Sequence, residues 1–216
     1  MRVIGIGAGG HAKVLLEALQ TRQDIEVVGL LDANPDLKGT EVLGIRVLGG
    51  DDQLERLRAE GIRNVFLGVG GTGDNAPRRR LFELVKARGF EVLSVIHGSA
   101  VLSPSASLGE GTCLCPGAIV AAGAKLGRNV IVNTGAIVEH DCEIGDHAHI
   151  ASGAVLAGGV AVGEGAHVGA GASVRQGLKI GRYALVAVGA AVVDDVPDGA
   201  AVAGVPAKPI RAGVKS

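Results

Sequence analysis

The C-terminal half of the chain carries an aliphatic residue at every sixth position. An α-helix repeats about every 3.6 residues and a β-strand every 2, so neither requires this spacing, whereas a parallel β-helix of hexapeptide turns does. We therefore predict such a β-helix over residues 99–196. The aliphatic positions are Leu102, Leu108, Leu114, Val120, Leu126, Val132, Val138, Ile144, Ile150, Leu156, Val162, Val168, Val174, Ile180, Val186 and Val192.

A second period, of eighteen residues, describes the cross-section of this β-helix. Glycine follows the aliphatic residue at Gly109, Gly127, Gly145, Gly163 and Gly181, so three hexads make one triangular coil and positions eighteen apart stack in columns. One such column is predicted to form turns with positive φ, which glycine and asparagine accept most readily. It consists of Gly111, Asn129, His147, Gly165 and Tyr183. The charged column beside it predicts a solvated edge and consists of Glu110, Arg128, Asp146, Glu164 and Arg182.

Residues 1–98 show a different pattern, in which short apolar runs alternate with amphipathic ones. This alternation predicts an α/β domain, a small Rossmann-like parallel sheet flanked by helices. Strands are predicted over 2–7, 25–31, 65–69 and 91–96, and helices over 11–20, about 51–59 and 77–88. The remaining residues, 197–216, are predicted to form a C-terminal tail.

The first predicted strand ends in a glycine turn that satisfies the GxGxxG pattern. The turn runs from Gly5 to Gly10, and Asp32 follows at the end of the next strand. Such glycines let a backbone approach a pyrophosphate, and the acidic residue can accept a hydrogen bond from ribose or base. Because the domain has room for only one mononucleotide-binding half, we expect one nucleotide rather than NAD. The alternative is a turn that merely joins strand to helix.

Composition narrows the class of protein. Aromatic residues make up 2% of the chain, which fits a core of Val, Ile, Leu and Ala, and the net charge of −1 gives no field that would attract a nucleic acid polymer. From the sequence we expect neither a signal peptide nor a transmembrane segment. The odd number of cysteines, 3, has no zinc-site spacing, so we predict structural thiols in the cytoplasm and no bound metal.

His140 is the candidate catalytic residue. Its neighbours one coil away are Ala122 and Gly158, so a large polar side chain projects between two small ones and leaves room for a substrate. Asp141 follows directly and could orient the ring and stabilise its protonated form.

His149 stacks on His167, with rings about 4.8 Å apart if neighbouring strands set the spacing, and the pair either shares a ligand or simply packs. His140 and His149 are half a coil apart and project from different faces of one prism. They could meet if prisms pack side by side, so we predict a homotrimer with active sites between subunits. A zinc hydrolase on the same fold is the alternative for clustered histidines.

Four segments, in this order, resemble the sugar acyltransferases of the sialic acid O-acetyltransferase type, close to those that N-acetylate nucleotide-linked 4-amino-sugars in bacterial glycan synthesis. The segments are residues 7–14 (GAGGHAKV), 30–32 (LLD), 137–142 (IVEHDC) and 204–210 (GVPAKPI). The resemblance implies a left-handed β-helix and acetyl-CoA as cosubstrate. The chain departs from the family at Ala33, where relatives carry a second acidic residue, and at Asp141, where they often have glutamate.

The resemblance also implies roles for individual residues. Substrate-binding residues would be Gly9, Gly10, His11, Asp32 and Gly70. His140 with Asp141 would form the general base, and His149, Ala170 and Val188 would contact acetyl-CoA. Lys208 and Arg211 could meet CoA phosphates, or could belong to a solvated tail. The alternatives to this function are O-acetylation of a sugar or sialic acid, a nucleotide-dependent oxidoreductase and a non-catalytic trimeric scaffold.

Overall fold

A six-stranded sheet forms the N-terminal part of the chain in the computed structural model, which describes residues 1–210. Its order is β3-β4-β2-β1-β5-β6, and all pairs are parallel except the β3–β4 hairpin. The strands are β1 (Arg2–Ile6), β2 (Glu26–Leu31), β3 (Glu41–Val42), β4 (Ile45–Gly49), β5 (Asn64–Leu67) and β6 (Glu91–Val92). The hairpin, which turns at Leu43 and Gly44, was not predicted from the sequence.

Helices cover both faces of this sheet. They are α1 (Gly10–Gln20), α2 (Leu54–Ala59) and α3 (Ala76–Ala87), with 3-10 turns at Pro35–Leu37 and Asp51–Gln53. The apolar stripe of α1 packs on one face, around Leu15, Leu16 and Phe66, while α2 and α3 pack on the other around Leu57 and Phe82. As predicted, α2 ends before Gly61, which has φ +90° and supplies the left-handed residue that closes a helix.

The rest of the chain is a triangular prism of two-residue and three-residue strands. We name its three sheets in chain order. The first face contains β7 (Val95–Ile96), β10 (Cys113–Leu114), β13 (Ile131–Val132), β16 (His149–Ile150), β19 (His167–Val168), β22 (Leu185–Val186), β24 (Ala201–Ala203) and β25 (Lys208–Ile210). The second face contains β8 (Val101–Leu102), β11 (Ile119–Val120), β14 (Ile137–Val138), β17 (Val155–Leu156), β20 (Ser173–Val174) and β23 (Ala191–Val192). The third face contains β9 (Ser107–Leu108), β12 (Lys125–Leu126), β15 (Glu143–Ile144), β18 (Ala161–Val162) and β21 (Lys179–Ile180).

The predicted register holds along the prism. Strands pair in parallel with residues eighteen apart, as in the pairing of Val120 with Val138. The aliphatic residue of each strand points inward and the alanines line the corners, which gives one continuous core. The turn column also has the predicted positive φ, with values of +57° at Asn129, +62° at His147 and +55° at Tyr183.

The junction between the domain and the prism differs from the prediction. In place of one strand over 91–96, β6 ends the sheet of the domain and β7 begins the first face of the prism by pairing with β10. A continuous apolar run cannot show where a chain passes from one sheet to another. At the other end, β24 and β25 continue the first face within the segment predicted as a tail.

The prediction of a solvated charged edge is wrong for part of that column, because α3 docks there. Lys86 Nζ lies 2.8 Å from Glu110 Oε1, and Arg79 Nη1 lies 3.4 Å from Glu164 Oε1. The periodicity of a repeat does not show which of its edges another domain covers. None of the helices in residues 1–210 is long and apolar enough to cross a membrane.

Two glycine substitutions test the close stacking of coils. A Cβ at Gly145 would lie 2.6 Å from the Glu164 nitrogen of the next coil, so we expect Gly145→Ala to destabilise the fold by about 1–3 kcal/mol. The control is Gly199→Asn, at the same corner, where φ is +66° and no atom lies within 4 Å of a Cβ. Because asparagine tolerates this conformation, we expect a change of about 0.5 kcal/mol or less. Unfolding midpoints at one protein concentration measure both, and equal losses would contradict the stacking argument.

Candidate active site

The glycine turn brings the start of α1 close to the end of β5. Gly7 has φ +101°, and a Cβ at Gly68 would lie 2.7 Å from the Ala12 side chain, so both positions require glycine. The N-terminus of α1 has no side-chain cap and no acidic residue in its first turn. Its free N–H groups therefore suit an anion such as a phosphate.

Asp32 holds the glycine turn in place. One carboxylate oxygen accepts the Ala8 N–H at 2.8 Å, and the other accepts the Asn34 N–H at 2.9 Å. A carboxylate oxygen has more than one acceptor site, so these bonds leave room for a ligand hydroxyl. Its contact with ribose or base stays a prediction, now beside a structural role that the sequence did not reveal.

A cavity of about 540 Å³, which we call the turn cavity, lies between the α/β domain and the prism. It is lined by three of the predicted substrate-binding residues, Gly10, His11 and Gly70, together with His149 of the first face. Gly9 is exposed beside the turn but does not line the cavity. The fold thus brings three of the five predicted substrate-binding residues next to a residue predicted to contact acetyl-CoA, whereas Asp32, like Gly9, lies outside the cavity lining.

A second cavity, the corner cavity, has a volume of about 530 Å³ and lies where the first face turns into the second. Ala170 and Val188 line it, together with His149 and His167, and their contact with acetyl-CoA stays a prediction. The two cavities share Gly71, Thr72, Asn133 and His149. Lys208 is exposed on β25 and lines neither, and Arg211 lies outside the described residues.

The histidines of these cavities are electrically neutral near pH 7. Burial lowers the pKa of His11 to about 3, and the positive charge of Arg78 acts in the same direction. Burial also lowers the pKa of His149 to about 3, helped by His167, His11 and Arg78. The His149 and His167 rings meet edge to face with centroids 4.8 Å apart. His149 therefore packs against His167 and also faces both cavities.

Asn133 is a site residue that the sequence reasoning missed. Its Nδ2 lies 3.1 Å from His149 Nε2, and it lines both cavities. The signal was available, because the residues one coil away are Cys115 and Ala151, so a polar side chain again projects between smaller ones. The same comparison had singled out His140.

His140 lies at the corner between β14 and β15, where the second face turns into the third. Its Nδ1 is 2.9 Å from Asp141 Oδ2, and a Cβ at Gly158 would lie 2.5 Å from its Nε2. The ring therefore occupies the space that the missing side chain of Gly158 leaves. Its hydrogen bond to Asp141 raises the pKa of His140, and the charges of Asp141 and Glu139 add to this effect.

One chain does not bring His140 together with His149. His140 lines neither of the two shared cavities and is exposed on a different side of the prism. The largest cavity, about 800 Å³ on the third face, contains none of the predicted site residues. Within residues 1–210 of a single chain, no three His, Cys, Asp or Glu side chains converge as a metal site.

Known proteins match both halves of this architecture. Residues 2–85 match the PglD N-terminal domain, and residues 123–158 match the bacterial transferase hexapeptide repeats. The GDP-perosamine N-acetyltransferase of Caulobacter crescentus, solved with CoA and GDP-perosamine, is 41% identical, with 97% of each chain covered and a TM-score of 0.91. The chain belongs to the hexapeptide-repeat nucleotide amino-sugar N-acetyltransferases.

Two further members of this family support the assignment. The acetyltransferase domain of PglB from Neisseria gonorrhoeae, solved with acetyl coenzyme A, is 38% identical, covers 97% of this chain and 98% of its own, and has a TM-score of 0.85. The UDP-N-acetylbacillosamine N-acetyltransferase of Bacillus subtilis is 38% identical over 108 residues, which are 50% of this chain and about half, 48%, of that protein. The family confirms the predicted fold, an α/β domain followed by a left-handed β-helix.

Replacing Asp141 tests the electrostatics of the candidate base. We expect Asp141→Asn to lower the pKa of His140 towards its ordinary value, because the main cause of the increase is removed. Asparagine tolerates the φ of +59° at this position, so the backbone need not change. NMR titration of the His140 ring measures the pKa. Glu139→Gln is the control and should lower it less, while an unchanged pKa in Asp141→Asn would contradict the assigned pair.

Proposed function

We propose that this protein transfers the acetyl group of acetyl-CoA to the amine of a nucleotide-linked 4-amino-sugar in bacterial glycan synthesis. The observation that carries the proposal is the His140–Asp141 pair, in which the pKa of His140 is raised, on a prism whose adjoining domain has a glycine turn suited to an anion. Family membership supplies the chemistry. In the Caulobacter enzyme, variants with one histidine replaced by alanine or asparagine have been solved with CoA and GDP-perosamine.

The nucleotide sugar binds in the turn cavity with its phosphates at the N-terminus of α1. The small residues of the corner cavity, among them Ala151, Gly169 and Ala170, leave space for the pantetheine arm. This division agrees with the chemistry of the two linings, one with free helix N–H groups and the other mostly apolar. The three cysteines are buried and free, which fits a reducing compartment, and we place the reaction in the cytoplasm.

The reaction requires a neutral general base, His140, beside the acceptor amine of the sugar. The amine nitrogen attacks the thioester carbonyl carbon while His140 takes the amine proton, and backbone N–H groups stabilise the oxyanion. The C–S bond then breaks, and the thiolate of CoA takes the proton from His140. Because the ring must be neutral to accept a proton, turnover falls as the pH drops through its raised pKa. Asp141 stabilises the imidazolium that forms in between.

The second face supplies the argument for a trimer. In its first four coils the outward residues, Val101, Ile119, Ile137 and Val155, are apolar and are followed by the small Ser173 and Ala191. The third face presents Lys125, Glu143 and Lys179. An apolar sheet face with no partner in its own chain is suited to contact another copy. Three such faces around a threefold axis would bury one another and leave the charged faces in solvent.

This packing would complete the active site. The second face is bounded by the corner that carries Asn133 and Ala170 and by the corner that carries His140. Around a threefold axis, the first corner of one copy meets the second corner of the next. His140 and Asn133 belong to the same coil, so they would lie at similar heights across the interface. His140 of one copy would then face the cavities of its neighbour.

We expect His140→Ala to lower turnover by a factor of about 10² to 10⁴, the usual contribution of a general base. Steady-state release of CoA in the presence of a nucleotide 4-amino-sugar measures this effect. His97→Ala is the control, because His97 lies outside both cavities and its side chain bonds to nearby Ser99. A loss of less than about tenfold in a folded His140→Ala protein would remove His140 from this role.

Mixed trimers test the shared site. We expect His140→Ala and His149→Ala each to be weakly active alone. After the two are refolded together, about one quarter of the interfaces pair an intact His140 with an intact His149, if copies assemble at random. Activity should therefore recover to about a quarter of the unsubstituted level. Mixed trimers that form but recover no activity would contradict a site between subunits.

A further inference from the structure

The segment between β5 and α3 crosses from the α/β domain to the first face of the prism. Gly71 in this segment lines both cavities. Asn75, at its end, is only 5% exposed, and its Nδ2 donates to the carbonyl oxygens of Gly165 and Ala166 at 3.2 and 3.1 Å. One asparagine amide therefore fixes the segment to the prism.

These two bonds also fix the orientation of the amide. Nδ2 faces the prism carbonyls, so Oδ1 faces the opposite way, towards Gly71, where a Cβ would overlap it. Oδ1 is buried and accepts no hydrogen bond from any group in residues 1–210. Because a buried carbonyl oxygen without a donor is destabilising, this atom requires a donor close by.

The same reasoning fixes the tautomer of His149. Asn133 Oδ1 accepts the Thr134 N–H at 2.8 Å, so Asn133 Nδ2 must donate to His149 Nε2. A neutral imidazole that accepts at Nε2 carries its hydrogen on Nδ1. Nδ1 is buried and makes no hydrogen bond of good geometry within residues 1–210. The Gly71 backbone is nevertheless near enough to favour its protonation.

We infer that Asn75 is a positioning residue for His149, with its Oδ1 accepting the Nδ1 hydrogen, directly or through one water, in the space above Gly71. A buried ring N–H that the Gly71 backbone approaches, and a buried oxygen that accepts from no donor within residues 1–210, flank the same point. A Cβ at Gly71 would lie 3.4 Å from His149 Nδ1 and would overlap Asn75 Oδ1. Only glycine at residue 71 leaves this space open.

Asn75 would therefore link the α/β domain to the corner cavity. Asn75 and Asn133 hold the two ring nitrogens of His149 from opposite sides, so the ring presents one fixed edge to the corner cavity. The importance of that edge rests on the proposed function, in which the cavity holds acetyl-CoA. A residue that supports a contacting side chain in this way commonly affects binding or activity by about 10-fold to 100-fold.

Histidine ¹⁵N NMR of the full chain without substrates provides the direct test, with signals assigned through His149→Gln. In the unsubstituted protein we expect the Nδ1–H tautomer and no titration above pH 4.5. Asn75→Asp and Asn75→Leu both lose the Nδ2 donor, but only the aspartate keeps an acceptor. We expect Asn75→Asp to retain the Nδ1–H tautomer and to raise the pKa of His149 by about one to three units, against the opposing effects of burial and of the Arg78 charge.

In Asn75→Leu we expect loss of the fixed tautomer and a rise of about tenfold in the KM for acetyl-CoA, with a smaller change in kcat. The matched control is Asn129→Asp, a buried asparagine that bonds His147 at another corner and should leave the His149 signals unchanged. An Nε2–H tautomer in the unsubstituted protein, which needs no variant to fold, would overturn the inference. So would identical His149 signals in the two Asn75 variants. Expected NMR shifts with an unchanged KM would instead overturn the proposed contact between His149 and acetyl-CoA.

Discussion

Parallel pairing between residues eighteen apart is the constraint on which the rest of the structure depends. Each coil repeats its backbone directly above the one before it, so every position has two neighbours that are known from the sequence. The interior accepts one aliphatic layer and small corner residues, and a side chain that does not fit must point outward. His140 is such a side chain, and its ring lies over Gly158 because the next coil has no side chain at that position.

The periodic prism and the aperiodic domain meet through a contact that neither pattern predicts. Arg78 of α3 is fully buried and has no carboxylate partner among the described residues; it donates to the carbonyls of Leu67 and Val69 and, across the junction, to Gly111. A buried guanidinium is costly unless several acceptors surround it. The carbonyls of Leu67 and Val69 belong to the strand end that leads to Gly70 and Gly71, and that of Gly111 belongs to the prism, so the charge ties the ligand-binding loop to the prism.

This contrast explains how far the sequence could be interpreted. Column positions predicted the strand register, the positive φ of Asn129 and the separation of His140 from His149, because all three follow from the repeat. The same comparison could have found Asn133. It could not have found Asn75 or Arg78, because their contacts across the domain junction follow no period. Asp32 is a third case. The glycine motif predicted that it contacts a ligand, but only the structure shows that its carboxylate also holds the glycine turn.

The histidines divide into two electrostatic classes, and this division supports a single base. Burial holds His11 and His149 neutral, with pKa values of about 3, so neither exchanges protons near pH 7. His140 is exposed beside Asp141, which raises its pKa. In the proposed trimer the next copy would cover His140, and loss of solvent disfavours the charged ring and opposes the effect of Asp141. A general base works best with a pKa near the operating pH, so these two opposing effects together set how well His140 performs that role.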